Sequence, residues 1–434
     1  MIHTTEIYMW GTRIGIASFD DDDAAALFEY DSKFQNSGIE LSPICMPLSN
    51  RVYSFPSLNR DTFKGLPGLL ADSLPDSFGN AVIDSWLESN GRTRESFTPI
   101  ERLCYMGKRG MGALEYVPAN GPVTDENDTV DIDEMAELAS MVLTNREKLV
   151  IKDKEMAYAS LLKFGTSAGG ARAKAIVAWN PVTGEIRSGQ IAKQKGYDYW
   201  IVKFDEVEGN GDHGELDSKG FTRVEYAYYL MAKDAGININ ECRLLEDNNK
   251  YHFMTKRFDR DENTGDKIHM QTLGALAHLD YKTPGCCSYE KAAQICRTIH
   301  LGMDEIEQFY RQMVFNVLAL NCDDHVKNFS FLMKRDGTWH LAPAYDLCFS
   351  YRPDSIWVSK HQMTINGKAK DINRNDLLKC AEAMSINHLK AEKIIAEVEM
   401  SVKRWPEFAR EAKVKKQQCN EIEVLLAEIR KNIK

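Results

Sequence analysis

The stretch that most restricts how this chain can fold runs from Val314 to Phe349. A helix-like apolar run, Val314 to Leu320, delivers the backbone to a polar cluster of Asn321, Asp323, Asp324, His325, Lys327 and Asn328. Two short apolar segments follow, Phe329 to Met333 and Trp339 to Ala342, joined by Lys334-Arg335-Asp336-Gly337. The Asp-Gly pair predicts a β-hairpin, because only such residues accept the positive φ that a tight turn between twisted strands requires. The second segment ends on a lone acid, Asp346, between Tyr345 and Leu347.

Asp323 and Asn328 stand in the pattern D-x-x-x-x-N, the spacing that a protein-kinase catalytic loop places between its base and its magnesium-binding amide. Asp346, beyond the hairpin, stands where such enzymes hold the acid that grips Mg²⁺. Phosphoryl transfer needs these residue types: an acid must orient a hydroxyl, and hard oxygen ligands must hold Mg²⁺ against the phosphates. Taken singly, acids and amides in a loop are turn formers and caps. Their order, from helix to acid and amide, hairpin and second acid, favours the chemical reading.

A chain of 434 residues is too long for one ordinary core, so two or three domains are expected. With 43% hydrophobic and 27% charged residues it reads as a soluble globular protein. The ten cysteines form no C-x-x-C pair, so reduced thiols are expected. No leader-like N-terminus and no membrane-length apolar run is present, which predicts a cytoplasmic address and no membrane partner. A net charge of −10 argues against a large nucleic-acid footprint on this chain alone. The acidic run Asp20 to Asp23 reads as a solvated turn.

Taken in order, residues 1–118 predict a small β-rich domain. Ile7 to Ile16 alternates and turns at Gly11, and Gly107 to Val117 leads through a Gly-rich turn into a closing strand. Residues 119–153 read as a linker and helix. From 154 to 255 comes a second β-rich unit, with a helix predicted near Lys154 to Leu162 ahead of its strands. Next come Gly165, Thr166, Ser167, Ala168, Gly169 and Gly170, where backbone N–H groups could approach a phosphate without Cβ obstruction, although most Gly-rich turns bind nothing. The strand Tyr199 to Phe204 then carries Lys203, either snorkelling on a solvent face or contacting ATP phosphates. Glu225, on a predicted helix from Phe221 to Ala235, is its natural partner, although an exposed helix acid is the commoner fate. Lys256-Arg257-Phe258-Asp259-Arg260 leaves the sheet as a hinge would, and residues 256–434 read as mostly helical, with helices predicted over Tyr289 to His300, Met303 to Leu320, Asn375 to Met384, His388 to Trp405 and Cys419 to Ile433. The expectation is an α+β chain with a two-lobed, protein-kinase-like body: a β-rich small lobe, a helical large lobe and the extra N-terminal domain.

These residues resemble the HipA-type serine/threonine kinases, toxins of bacterial toxin–antitoxin pairs. The resemblance is carried by Gly165 to Lys174, Ile201 to Phe204, Lys256 to Arg260, Asn321 to Ser330 and Leu341 to Asp346, and it spans nearly the whole chain. It implies Asp323 as catalytic base, with Asn328 and Asp346 as Mg²⁺ ligands. It also implies ATP held by the Gly165–Gly170 loop, Lys203, Lys256, His325 and the backbone around Phe258. Lys327 would neutralise charge on the transferring phosphoryl group, and Ser167 matches the serine that family members autophosphorylate. A dianion in that loop would repel ATP, so self-phosphorylation would inactivate the enzyme. The second acid lies in Tyr345-Asp346-Leu347 instead of D-F-G, and no H-R-D precedes Asp323, both as this family has it.

The family also implies a HipB-like helix-turn-helix antitoxin as partner, operator DNA reached mainly through it, and a translation-factor substrate such as glutamyl-tRNA synthetase, whose phosphorylation halts growth and underlies persistence. Two other readings of the same residues are a small-molecule phosphotransferase and a catalytically idle, antitoxin-dependent corepressor.

Overall fold

A computed structural model describes residues 2–20, 24–122, 129–144, 161, 172–190, 195–212, 215–216 and 219–433. The Gly165–Gly170 loop with Ser167, the helix expected from Lys154 to Leu162 apart from Leu161, and Asp21 to Asp23 lie outside these residues. The chain divides into two compact units, one of Met1–Lys219, Leu245–Gln271 and Met333–Gly337, the other of Gly220–Leu244, Thr272–Leu332 and Thr338–Lys434. The α+β class holds, with strands concentrated in the first unit and helices in the second.

The first unit opens with the antiparallel strands Thr4–Met9, Thr12–Asp20 and Ala25–Tyr30, and Leu114–Val117 returns to pair with the first of them. Trp10 and Gly11 both take positive φ, 51° and 80°, in the two-residue turn between Met9 and Thr12. Such a turn matches the right-handed twist of the strands that it joins. Alternation then buries Ile7, Met9 and Ile14 under the helix Pro99–Met106, whose Thr98–Glu101 capping box satisfies the first free N–H groups.

The second sheet runs in the order Cys242–Asp247, Lys250–Lys256, Asp198–Lys203, Lys174–Trp179, Ile186–Ser188, the last four pairing antiparallel with one another. Trp200, Val202, Ala175, Val177 and Met254 from this sheet share one apolar core with Phe78, Val82 and Ile83 of Ser77–Ser89 and Met135 and Ala139 of Ile132–Leu143.

The second unit is built on Phe221–Asp234, Tyr289–Thr298, Met303–Leu318, Arg374–Ala383, His388–Lys403, Trp405–Glu411 and Lys416–Asn432. Sequence periodicity carries His388 through Trp405 as one helix, but the structure ends it at Lys403 and starts another at Trp405. Pro406 explains the break, since it lacks an N–H to continue the ladder and its ring is tolerated only in a first turn. The last helix begins at Lys416, ahead of the expected Cys419, and the strand His269–Thr272 has no counterpart in the sequence reading. None of the ten cysteines is joined in a disulfide. Among the described residues no helix is long and apolar enough to cross a membrane.

Candidate active site

In the second unit the polar loop begins where the helix Met303–Leu318 stops. Leu320 takes φ of 52°, Asn321 N donates to Asn316 O at 2.9 Å, and Leu320 N to Val317 O at 3.4 Å. This is the paired bonding of a Schellman cap, with leucine where glycine is usual. The left-handed conformation costs a non-glycine residue about 1–2 kcal/mol. Burial of the Leu320 side chain and two ties to Ser350, Ser350 N to Leu320 O at 3.0 Å and Cys322 N to Ser350 O at 3.1 Å, offset it. The chain is thereby turned sharply into Asp323.

Asn328 Nδ2 donates to Asp323 O at 2.7 Å, which closes the D-x-x-x-x-N loop on itself. His325 Nε2 lies 3.9 Å from Asp323 Oδ1, too long for a hydrogen bond, and its ring rests 5.2 Å from that of Tyr281. Lys327 Nζ stands over the same Tyr281 ring at 5.2 Å. The strands Ser330–Met333 and Trp339–Leu341 form the expected hairpin, with Gly337 at φ of 85°. Beyond it, Tyr345 OH donates to Lys327 O at 2.6 Å and meets Ser330 Oγ at 2.6 Å, which returns the chain to the loop immediately before Asp346. Asp346 itself has φ of 52°, an unusual conformation for an aspartate of the kind that surrounding structure holds in place at functional sites. The donor set, an amide oxygen on Asn328 and the carboxylate of Asp346, is of the hard oxygen type that suits Mg²⁺.

In the first unit, Lys203 is 8% exposed at the end of its strand, with Nζ 5.7 Å from the centre of the Phe253 ring. Its register partner is a second lysine, Lys174, 3% exposed and directly opposite on the same face. Like charges so placed repel, and an anion beside both would relieve the repulsion. The sequence reading missed the pair, because nothing in one strand announces its register against another. Lys256 reaches Glu262 at 3.2 Å and Asp198 at 3.7 Å, so it is engaged by acids. Glu225, in the second unit, is buried on Phe221–Asp234.

Phe258 sits between two buried neighbours. The Asp259 carboxylate is 0% exposed and accepts from Arg257 Nε at 2.8 Å, Arg257 NH2 at 2.7 Å, Arg260 NH1 at 2.8 Å and Gly112 N at 2.8 Å. Burial pushes its pKa up, but Arg257 and Arg260 outweigh it and hold the group well below the usual carboxylate range. Lys267 strengthens the same junction, reaching Glu115 at 2.9 Å and Lys108 O at 2.6 Å, while Trp10 Nε1 donates to Lys267 O at 2.8 Å. Residues 257–271 are thus fastened to the N-terminal strands, a role the sequence did not reveal.

One group of three metal-type ligands occurs among the described residues, Asp133, Asp247 and His252, with ligand atoms within 4.8 Å of one another. Lys250 Nζ already lies 2.8 Å from Asp133, and His252 Nδ1 accepts Asp205 N–H at 3.0 Å, which leaves the proton of a neutral ring on Nε2. This cluster reads as an ion-pair network.

Comparison with known proteins agrees with this architecture. A HipA N-terminal domain model matches residues 5–117 and a HipA-like C-terminal domain model matches residues 166–405. The chain belongs to the HipA family. A Haemophilus influenzae protein described as "Putative kinase" is 30% identical over 134 residues, a match covering 28% of this chain and 39% of that protein. The chain therefore aligns with about two fifths of that curated relative's length. Among solved structures, Shewanella oneidensis HipA, determined with HipB and its operator DNA, superposes with a TM-score of 0.64 at 16% identity. That match covers 99% of this chain and 96% of that one, and the likeness is one of fold. The Helicobacter pylori kinase CtkA gives a TM-score of 0.34 at 15% identity over 54% of this chain and 88% of its own, too low to bear on the fold.

Proposed function

We propose that this chain is an ATP-dependent serine/threonine protein kinase, the toxin of a type II toxin–antitoxin pair. The observation that carries the reading is the closed loop of Asp323 and Asn328, with the hairpin that brings the chain back to it at Asp346. Asp323 would accept the proton of a substrate hydroxyl and aim its oxygen in line with the γ-phosphorus. Asn328 Oδ1 and the Asp346 carboxylate would hold Mg²⁺, which supplies neutralisation of charge on the phosphates. Lys327, beside Tyr281, would stabilise charge on the phosphoryl group in flight, with His325 lining the same loop. In the first unit Lys203, with Lys174 opposite, would contact the ATP phosphates, and the backbone at Phe258, immobilised by Asp259, would hold adenine.

The family supports the remaining elements of the proposal: self-inactivation at Ser167, a translation factor such as glutamyl-tRNA synthetase as substrate, and a HipB-like antitoxin that carries the complex to operator DNA. The Shewanella oneidensis HipA was solved with both of the last two. The acidity of this chain, net −10, suits an assembly whose basic surface comes from the partner.

The test is phosphosite mapping by intact mass of wild type and Asp323→Ala after incubation with ATP and Mg²⁺. Wild type is expected to gain one phosphate on Ser167 and the variant none, since removing a positioned base costs about 10²–10⁴ in rate. Absence of phosphate on wild type, together with no transfer to a protein substrate and no rise in melting temperature with ATP and Mg²⁺, would reject the kinase reading.

A further inference from the structure

The two consecutive aspartates of the loop differ in burial. The Asp323 side chain is 16% exposed, whereas that of Asp324 is 0% exposed. Asp324 Oδ2 accepts from Tyr289 OH at 2.7 Å and faces His361 Nδ1 at 3.0 Å, and its Oδ1 accepts from Gln362 N at 2.7 Å. The far nitrogen of His361 lies 3.9 Å from Cys322 Sγ. On the other flank of Asp323, Asn321 Nδ2 donates to Asn316 Oδ1 at 2.9 Å, and Asn316 Nδ2 donates to that same Tyr289 OH at 3.1 Å. One continuous chain of hydrogen bonds therefore runs from Asn321 through Asn316 and Tyr289 to Asp324 and His361. It ties both sides of Asp323 to three separate elements: the helices Tyr289–Thr298 and Met303–Leu318 and the segment at 361–362.

We propose that Asp324 and His361, in direct contact with each other and linked by Tyr289 to Asn316 and Asn321, are positioning residues for Asp323: their buried contact fixes the loop backbone so that the neighbouring carboxylate is presented in one orientation. A buried carboxylate is expensive unless it is paired and hydrogen-bonded. Here the pairing converts that cost into rigidity at the residues on either side. Deleting one hydrogen bond from such a network removes stabilisation equivalent to about tenfold in a local opening equilibrium. The consequence for catalysis rests on the kinase reading above. The consequence for loop rigidity does not.

The experiment compares wild type, Tyr289→Phe, His361→Gln and His361→Ala by amide hydrogen exchange and by phosphoryl-transfer kinetics. Exchange at the amides of residues 321–328 is expected to quicken about tenfold in Tyr289→Phe and more in His361→Ala, with exchange in Thr4–Asp20 unchanged. His361→Gln, which keeps a donor, should fall between wild type and His361→Ala. kcat should drop in the same order while KM for ATP stays within about twofold, a split that general destabilisation would not produce. If His361→Ala does not fold, Tyr289→Phe decides, because it leaves the Asp324–His361 contact in place and removes one hydrogen bond. Unchanged exchange at residues 321–328 in folded variants, or quickened exchange with unchanged kcat, would overturn the proposal. An inactive wild type would reject the kinase reading instead, and the exchange comparison would then decide the positioning role alone.

Discussion

Replacing Asp259 by alanine is expected to cost the first unit about 3–5 kcal/mol, the usual penalty for removing one partner of a buried ion cluster. The size follows from what remains. Arg257 has a fully buried side chain and directs two short contacts to this one carboxylate, while Arg260, nearly as buried, divides NH1 between the carboxylate at 2.8 Å and Asp259 O at 2.7 Å; the carboxylate also receives Gly112 N. Without it two guanidinium groups face each other in a site that water does not reach. Urea unfolding, following the transition of the Trp200-containing core, reads the loss.

The pH dependence gives a second check. The folded pKa of Asp259 is depressed, so its contribution is present above the unfolded value near 3.8 and is lost as pH falls through the folded one. The gap between wild type and Asp259→Ala should therefore be constant from pH 5 to 8 and shrink only in strong acid, below about pH 4. A loss under about 1 kcal/mol at pH 7 would place Asp259 among ordinary surface ion pairs and refute the fastening role assigned to it.

Two further outcomes are expected. His269 is buried and burial alone lowers its pKa from 6.5 to about 3, so the unfolded chain binds the extra proton between those values. Stability should fall on acidification across that window with a slope approaching about 1.4 kcal/mol per pH unit, and His269→Asn should lack that slope in thermal melts. Leu320→Gly relieves about 1–2 kcal/mol of left-handed strain but deletes a buried side chain worth about 2–5 kcal/mol, so a net loss of about 0–4 kcal/mol is expected in urea melts; a stabilised variant would show that strain dominates.

The loop from Asp323 to Asn328 was legible as a structural unit because its information is local. Asp323 and Asn328 lie on one short stretch, the Asp336-Gly337 turn specifies its own hairpin, and Asp346 follows at the hairpin's end. The N-terminal sheet was legible for the same reason, since alternation and Gly11 act over a few residues. The break at Arg404 was missed although Pro406 marks it, because apolar periodicity runs on through the proline. Lys174 was quoted only as the end of a Gly-rich motif, and Asp324 only as part of an acidic pair, since neither has a partner nearby in sequence.

By itself the sequence determined the α+β class, the progression from strand-rich to helical segments and the chemical types in the loop from Asp323 to Asn328, because periodicity, turn chemistry and residue spacing act within a helix turn or a hairpin. Only the tertiary structure decided which of two adjacent aspartates is buried, that Lys174 faces Lys203, and that Asp259 fastens the Phe258 segment to the N-terminal strands through Gly112. Each of these depends on packing between residues tens to more than a hundred positions apart, where burial alone decides whether a charge is a solvated side chain or a structural tie.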